Sequence, residues 1–285
     1  MNKTLIGKEN HLFLTNDSCR ELEVHCNNLN LIQNTNLPHL QFDKYMIIIF
    51  PNKSFYYKDY LPDGYVCKYR PAFDIYAKKL QNKVLDGYNI LKGVDNAYYK
   101  TDTHINLKGN YAIYLAFIDK VNREYKLNLP RKLFKIDAKK NVELSALGYG
   151  IGDLTWSSNL GDQILLDKTD DYYYCNNIKD FYMRHVISEC DIKFYTYDLS
   201  DTTNTLIGQT AGWDILSKHI IYKTNNNTNK LKVIIFYDSF LLSIISLYME
   251  LFGEVYMIKS VYDNRLIEAI KPDYVFEFRV ERFLF

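Results

Sequence analysis

Lys232-Val233-Ile234-Ile235-Phe236-Tyr237-Asp238-Ser239-Phe240 is the stretch on which the fold of this chain turns. After Lys232 its residues are continuously apolar or aromatic, without alternation. That pattern marks a short strand covered on both faces, as in a parallel sheet. Asp238 and Ser239 interrupt the run. Sequence 240–252 is again almost wholly apolar and reads as a buried helix. A strand passing directly into a helix puts Asp238 and Ser239 at the carboxyl end of the sheet, where open α/β folds hold ligands.

The same pattern recurs outward from this stretch. Tyr45-Met46-Ile47-Ile48-Ile49-Phe50 is a second buried strand, closed by Pro51. Further strands are expected at 254–258 and at 274–278, the latter after Lys271-Pro272-Asp273. Helical spacing covers 72–85, through Phe73, Tyr76, Ala77, Leu80 and Val84, and 107–125, through Tyr111, Tyr114, Leu115, Ile118 and Val121. A shorter helix is expected at 263–270. The C-terminal quarter is therefore strand, helix, strand, helix, strand, a parallel unit with right-handed crossovers. Sequence 130–222 breaks the alternation with aromatic runs such as Tyr172-Tyr173-Tyr174 and Lys193-Phe194-Tyr195-Thr196-Tyr197. The whole of 1–285 is read as one α/β domain carrying a β-rich insertion at about 130–222.

Bulk properties exclude several classes. The net charge of +1 provides no basic excess for nucleic acid. The five cysteines, Cys19, Cys26, Cys67, Cys175 and Cys190, form no CxxC pair, which argues against a zinc ribbon or a dithiol redox motif. Their wide spacing suggests reduced, structural thiols in a cytosol-like compartment. Met1 to Glu9 lacks the apolar core of a signal peptide. The expected location is cytoplasmic as the sequence stands, and periplasmic or at the cell envelope if an export signal lies outside it. The apolar stretch 233–249 is too short and too interrupted to span a bilayer. Tyrosine contributes 26 residues, which fits either aromatic sugar-binding surfaces or a compositional bias shared with Asn, Lys and Ile.

Two places could carry chemistry. A serine at a strand-to-helix turn has free backbone N–H groups and a helix dipole behind it, able to stabilise a developing oxyanion. Ser239 or Asp238 in that position equally fits a helix cap. The second place is Thr101-Asp102-Thr103-His104. A serine hydroxyl needs a base, histidine has the right basicity, and a carboxylate must orient the imidazole. Asp102 can do so from two residues away; a loop Asx turn with a surface histidine is the alternative. No second ligand cluster stands near the pair in sequence, so no metal is expected. The remaining histidines, His11, His25, His39, His185 and His219, have no acid so placed. Asp153 and Asp162 follow glycines and read as turn residues.

Taken in order, these pieces resemble the SGNH-like acyltransferases of the alginate O-acetylation family. Leu12-Phe13-Leu14, then Phe50-Pro51-Asn52-Lys53 with Tyr57 and Leu61-Pro62, are similar to that family's opening segments. Tyr98-Tyr99-Lys100-Thr101-Asp102-Thr103-His104 with Gly109 resembles its Asp-His motif, and Asp238-Ser239-Phe240 its serine motif. Gly152-Asp153-Leu154 and Lys271-Pro272-Asp273-Tyr274-Val275 with Glu281-Arg282 resemble shorter segments. The chain departs from the family at Tyr237, where a glycine is usual, and at Ile105, where a tryptophan is usual.

The resemblance implies an SGNH-like three-layer α/β/α fold with a mainly parallel sheet. It implies Ser239 as nucleophile, His104 as general base and Asp102 as the acid that orients it. Tyr99, Tyr237 and Asp153 become candidates for the substrate cleft. The implied reaction is O-acyl, specifically O-acetyl, transfer to a polysaccharide or glycan precursor such as a capsular polymer, through an acyl-serine. Water in place of the acceptor would make the same site a carbohydrate esterase, and a silent triad would leave a glycan-binding or scaffold protein. No bound cofactor is implied, only an acetyl donor (acetyl-CoA or an acetylated carrier). The implied partners are the acceptor glycan and other polysaccharide-biosynthesis proteins.

Overall fold

The computed structural model describes residues 3–28, 42–131, 133, 137–139, 153–156, 172–174, 220–225 and 229–284. Strands β1 (Thr4–Ile6) and β2 (Leu12–Leu14) pair antiparallel. Helix α1 (Glu21–Asn27) follows. Strand β3 (Tyr45–Phe50) leads into the short α2 (Lys53–Tyr56), then α3 (Pro71–Leu80), β4 (Val84–Asp86), α4 (Gly87–Leu91) and the long α5 (Leu107–Tyr125). Strands β5 (Asp137–Lys139) and β6 (Tyr172–Tyr174) pair antiparallel, with α6 (Asp153–Trp156) between them in sequence. The chain continues through β7 (Ile220–Thr224), β8 (Lys232–Tyr237), α7 (Ile245–Tyr248), β9 (Glu254–Ile258), α8 (Asn264–Ile270) and β10 (Tyr274–Val280).

Six strands form the main sheet in the order β4-β3-β10-β8-β9-β7. The first five are mutually parallel, and β7 runs antiparallel along β9 at the edge. Side chains alternate across the sheet. Met46, Ile48, Phe50, Phe276 and Phe278 pack with α5 and the 240–249 region on one face. Tyr45, Ile47, Ile49 and Val275 pack with α3 and α8 on the other. Because both faces are covered, β3 and β8 are apolar without alternation, as their sequences suggested. The result is the three-layer α/β/α architecture with a mainly parallel sheet.

Strands β3 and β8 and helix α5 have the boundaries expected from sequence; β10 continues two residues further, to Val280. Three segments differ. The helix expected over 72–85 stops at Leu80, because Gln81 turns to a positive φ of 50° and Val84–Asp86 joins the sheet edge beside β3. The helix expected over 240–252 is instead a 3-10 helix (Ser239–Ile244) followed by the four-residue α7. Asn225 closes that region by donating its side-chain amide to the carbonyls of Met249 and Phe252. Finally, β7 begins at Ile220, so the main sheet resumes before the expected end of the insertion at 222. Beyond β5, β6, α6 and β7, the segment 130–222 lies outside the described residues.

Among the described residues Cys19, Cys26 and Cys67 are free thiols, as their spacing suggested. Cys26 and Cys67 are distant in sequence, yet their sulfurs lie 2.7 Å apart. The main-chain N–H groups of Lys68 and Tyr69 both donate to the His25 carbonyl and bring the two segments together. Among the described residues no helix is long and apolar enough to cross a membrane.

Candidate active site

The β8 turn and the 98–106 loop meet at the carboxyl edge of the sheet. Asp238 caps the 3-10 helix by accepting the Phe240 N–H at 2.9 Å. Its other oxygen accepts the Val280 N–H at 2.7 Å, tying the turn to the end of β10. Burial pushes the Asp238 carboxyl upward, against the pull of Arg279 and the two amides. Between these fixed neighbours, Ser239 is half-buried and its hydroxyl opens toward His104. Asp238 thus takes the capping role, and Ser239 is left available for chemistry.

The opposing loop is closed at its neck. Tyr98 and Ile105 form an antiparallel bridge, and the Asn106 N–H donates to the Ala97 carbonyl at 2.9 Å. Asn106 then caps α5 through the Gly109 N–H. A side chain at Gly109 would lie 2.6 Å from the Ala97 carbonyl oxygen and 2.7 Å from Ile105, so only glycine lets α5 start this close to the loop. Lys53, which is 2% exposed, braces the loop from inside. Its ammonium donates to the carbonyls of Leu12, Lys100 and Asp102 at 2.7, 2.8 and 2.9 Å.

A continuous hydrogen-bonded relay results. Asp102 Oδ1 lies 2.6 Å from His104 Nδ1, and His104 Nε2 lies 2.8 Å from Ser239 Oγ. Asp102 Oδ1 also accepts the His104 N–H at 2.8 Å, while Oδ2 accepts the Asp153 N–H at 2.9 Å. Asp102 is buried, whereas the His104 side chain keeps 19% of its surface. Burial opposes a charged imidazole, but Asp102 outweighs it and holds the His104 pKa above its usual 6.5. Burial likewise opposes a charged Asp102, but His104 and the backbone amides hold that carboxyl well below the usual carboxylate range. The geometry sets Asp102, the imidazole and the hydroxyl in line, so that His104 Nε2, when unprotonated, is positioned to take the serine proton.

The structure therefore brings Ser239, His104 and Asp102 together. The cleft candidates separate. Tyr99 and Tyr237 are 4% and 2% exposed, and Tyr237 packs into the core, so neither is a cleft wall. The glycine-to-tyrosine departure at 237 is accommodated inside the core. Ile105 is likewise 1% exposed and core-packed. Asp153 alone of the three cleft candidates touches the site: its carboxylate accepts from Thr103 N–H and Oγ at 2.8 and 2.6 Å. Sequence reasoning gave no role to Lys53 or Arg282, although both fall in the family-like segments. Arg282 is buried, pairs with Glu21 at 3.2 Å and lies over the Phe240 ring, which also contacts His104.

Asp102, His104 and Asp153 offer ligand atoms within 4.8 Å of one another, a spacing a metal ion could use. Both oxygens of each carboxylate already accept hydrogen bonds, and His104 Nε2 faces Ser239, which fits an acid–base relay better.

A mainly parallel sheet with helices on both faces is a three-layer α/β/α fold of the SGNH-like kind, and the relay lies at the carboxyl edge of its sheet. The chain is similar in structure to PatB1 of Bacillus cereus: TM-score 0.61 and 15% identity, over 99% of this chain and 96% of that one. It is also similar to a DHHW family protein from Eubacterium siraeum, with TM-score 0.58 and 16% identity, over 100% and 92% of the two chains. A third likeness is to the O-acetyltransferase domain of Pseudomonas putida AlgJ, with TM-score 0.54 and 16% identity, over 99% and 91%. No family model and no curated protein sequence matches the chain. What it shares with these structures is the fold.

Proposed function

We propose that this protein is a serine-dependent O-acyltransferase that moves an acetyl group onto a glycan hydroxyl through an acyl-serine. The observation that carries the reading is the unbroken contact from Asp102 through His104 to Ser239, at 2.6 and 2.8 Å. It is supported by the fold shared with a domain described as an O-acetyltransferase. Ser239 Oγ attacks the donor carbonyl while His104 Nε2 takes its proton. Asp102 stabilises the imidazolium, which then protonates the departing group. The acceptor hydroxyl, deprotonated by His104, attacks the acyl-serine and returns Oγ to its starting state. Water in place of the acceptor makes the same chemistry an esterase. The donor is acetyl-CoA or an acetylated carrier, and the acceptor a polysaccharide or oligosaccharide.

The test uses p-nitrophenyl acetate with and without an acceptor glycan, on wild type and Ser239→Ala. Expected are release of p-nitrophenol, a transient mass gain of one acetyl group on the wild-type chain, and loss of both in Ser239→Ala. Equal rates for the two proteins would sink the nucleophile assignment. Faster release with acceptor, accompanied by an acetylated glycan, identifies the transferase; release unaffected by acceptor identifies the esterase.

A further inference from the structure

We infer that Asp153 is a positioning residue of this site: it holds Asp102 and Thr103 in place and sets a second negative charge beside His104. The inference rests on the acyl-transfer reading above. Three consecutive loop residues are held from the same short segment. The Leu154 N–H donates to the Thr101 carbonyl at 3.2 Å. The Asp153 N–H takes Asp102 Oδ2, leaving Oδ1 for His104. The Asp153 carboxylate takes both the amide and the hydroxyl of Thr103. Thr4 fixes the segment in turn by donating its hydroxyl to the Leu154 carbonyl, which links it to β1.

The second role is electrostatic. Asp153 Oδ2 lies 3.8 Å from His104 Nδ1, beyond hydrogen-bond reach of a proton that Asp102 already holds at 2.6 Å. It acts on the imidazole through space. The charged groups around the ring are Asp102 and Asp153, which favour the cation, and Arg282, which opposes it. The Lys53 ammonium sits behind Asp102, on its carbonyl. The Asp153 side chain is 44% exposed, so water screens its charge, while burial of the carboxyl and then the Asp102 charge push its own pKa upward; the expected shift is modest.

The bond to Asp102 comes from the main chain, so substitution at Asp153 leaves it in place. Asp153→Asn removes the charge, and Thr103→Val keeps the charge while removing the hydroxyl's bond to Asp153 and its 3.4 Å contact with His104 Nδ1. The experiment follows the His104 ring by NMR across pH, alongside the pH dependence of kcat/KM for p-nitrophenyl acetate. Asp153→Asn should lower the His104 pKa by roughly half a unit to one unit, moving the acid limb of the rate profile down equally. Asp153→Glu, which retains the charge, should restore most of that shift. Thr103→Val, which loses only a long contact to the ring, should move the pKa less than Asp153→Asn does and lower the plateau rate about tenfold.

A folded Asp153→Asn with an unmoved His104 pKa would overturn the electrostatic role. An unchanged plateau in Thr103→Val would overturn the positioning role. If wild type turns over no ester, the acyl-transfer reading fails by itself, because the ring titration still reports the coupling of Asp153 to His104.

Discussion

Lys53 holds main-chain carbonyls next to both His11 and His104 in the chain, and the surroundings of the two rings drive the same side chain in opposite directions. His104 faces two carboxylates and a hydroxyl, and its pKa rises above 6.5. His11 is buried against the rings of Tyr57 and Tyr60, with Lys53 and Lys100 as its charged neighbours. Burial, then those two cations, push its pKa down to about 3. The basicity of a histidine is thus raised or lowered according to whether carboxylates or cations and apolar surface face it.

The largest test of that contrast removes a carboxylate on the His104 side. Asp102→Asn keeps the size of the side chain but replaces an acceptor-only group with an amide. The amide can turn a donor toward Nδ1 and force the wrong tautomer, leaving Nε2 protonated toward Ser239. Acyl-enzyme formation, followed as the p-nitrophenol burst, is expected to fall about 1,000- to 10,000-fold with little loss of folded protein by circular dichroism. A loss below tenfold would mean that His104 does not depend on Asp102.

How much of this contrast was legible in sequence depends on the length scale of each signal. Strands β3 and β8 were legible because burial on both faces leaves a continuous apolar run. Strand β4 was not: Val84-Leu85-Asp86 is too short to show a period, and its Val84 also fits the helical spacing of α3. Asp102 and His104 could be paired because they are two residues apart on one loop. Their link to Ser239 spans 135 residues and rested on resemblance. The role of Asp153 was hidden, since a Gly-Asp pair is ordinary turn sequence and its partners are 50 residues away. The lowered basicity of His11 was equally hidden, because it comes from rings and an ammonium brought together by the fold.

Removing the lysine shared by the two surroundings has the next largest effect. Lys53→Met removes the ammonium from three carbonyls, two of them in the loop that carries Asp102; that of Lys100 still accepts the Leu12 N–H. A buried carbonyl that loses its donor costs about 1–3 kcal/mol when it stays dry, and the remaining Leu12 bond and partial rewetting reduce the sum. A loss of about 2–3 kcal/mol is expected, seen as a fall in Tm of roughly 3–5 °C. A shift under 2 °C would show that the carbonyls are satisfied without the ammonium.

The smallest effect is a difference in sign with pH. His104, with a raised folded pKa, contributes stability that is fully present below 6.5 and lost as pH rises through its folded value. For His11 the sign reverses. Its folded pKa of about 3 lies below the unfolded 6.5, so the unfolded chain binds more protons between those values. Stability is therefore lost as pH falls below 6.5. His11→Phe keeps a ring against Tyr57 and Tyr60 but removes the titration. At pH 7 it should change stability little, since the ring it replaces is neutral there. By pH 5 it should be more stable than wild type by on the order of 1 kcal/mol, about 2–4 °C in Tm. The quantity to measure is the difference in Tm between pH 7 and pH 5, which should shrink in His11→Phe and grow in His104→Phe, where the stabilising imidazolium is lost. Equal differences in both variants would mean that the two surroundings do not act oppositely on the ring.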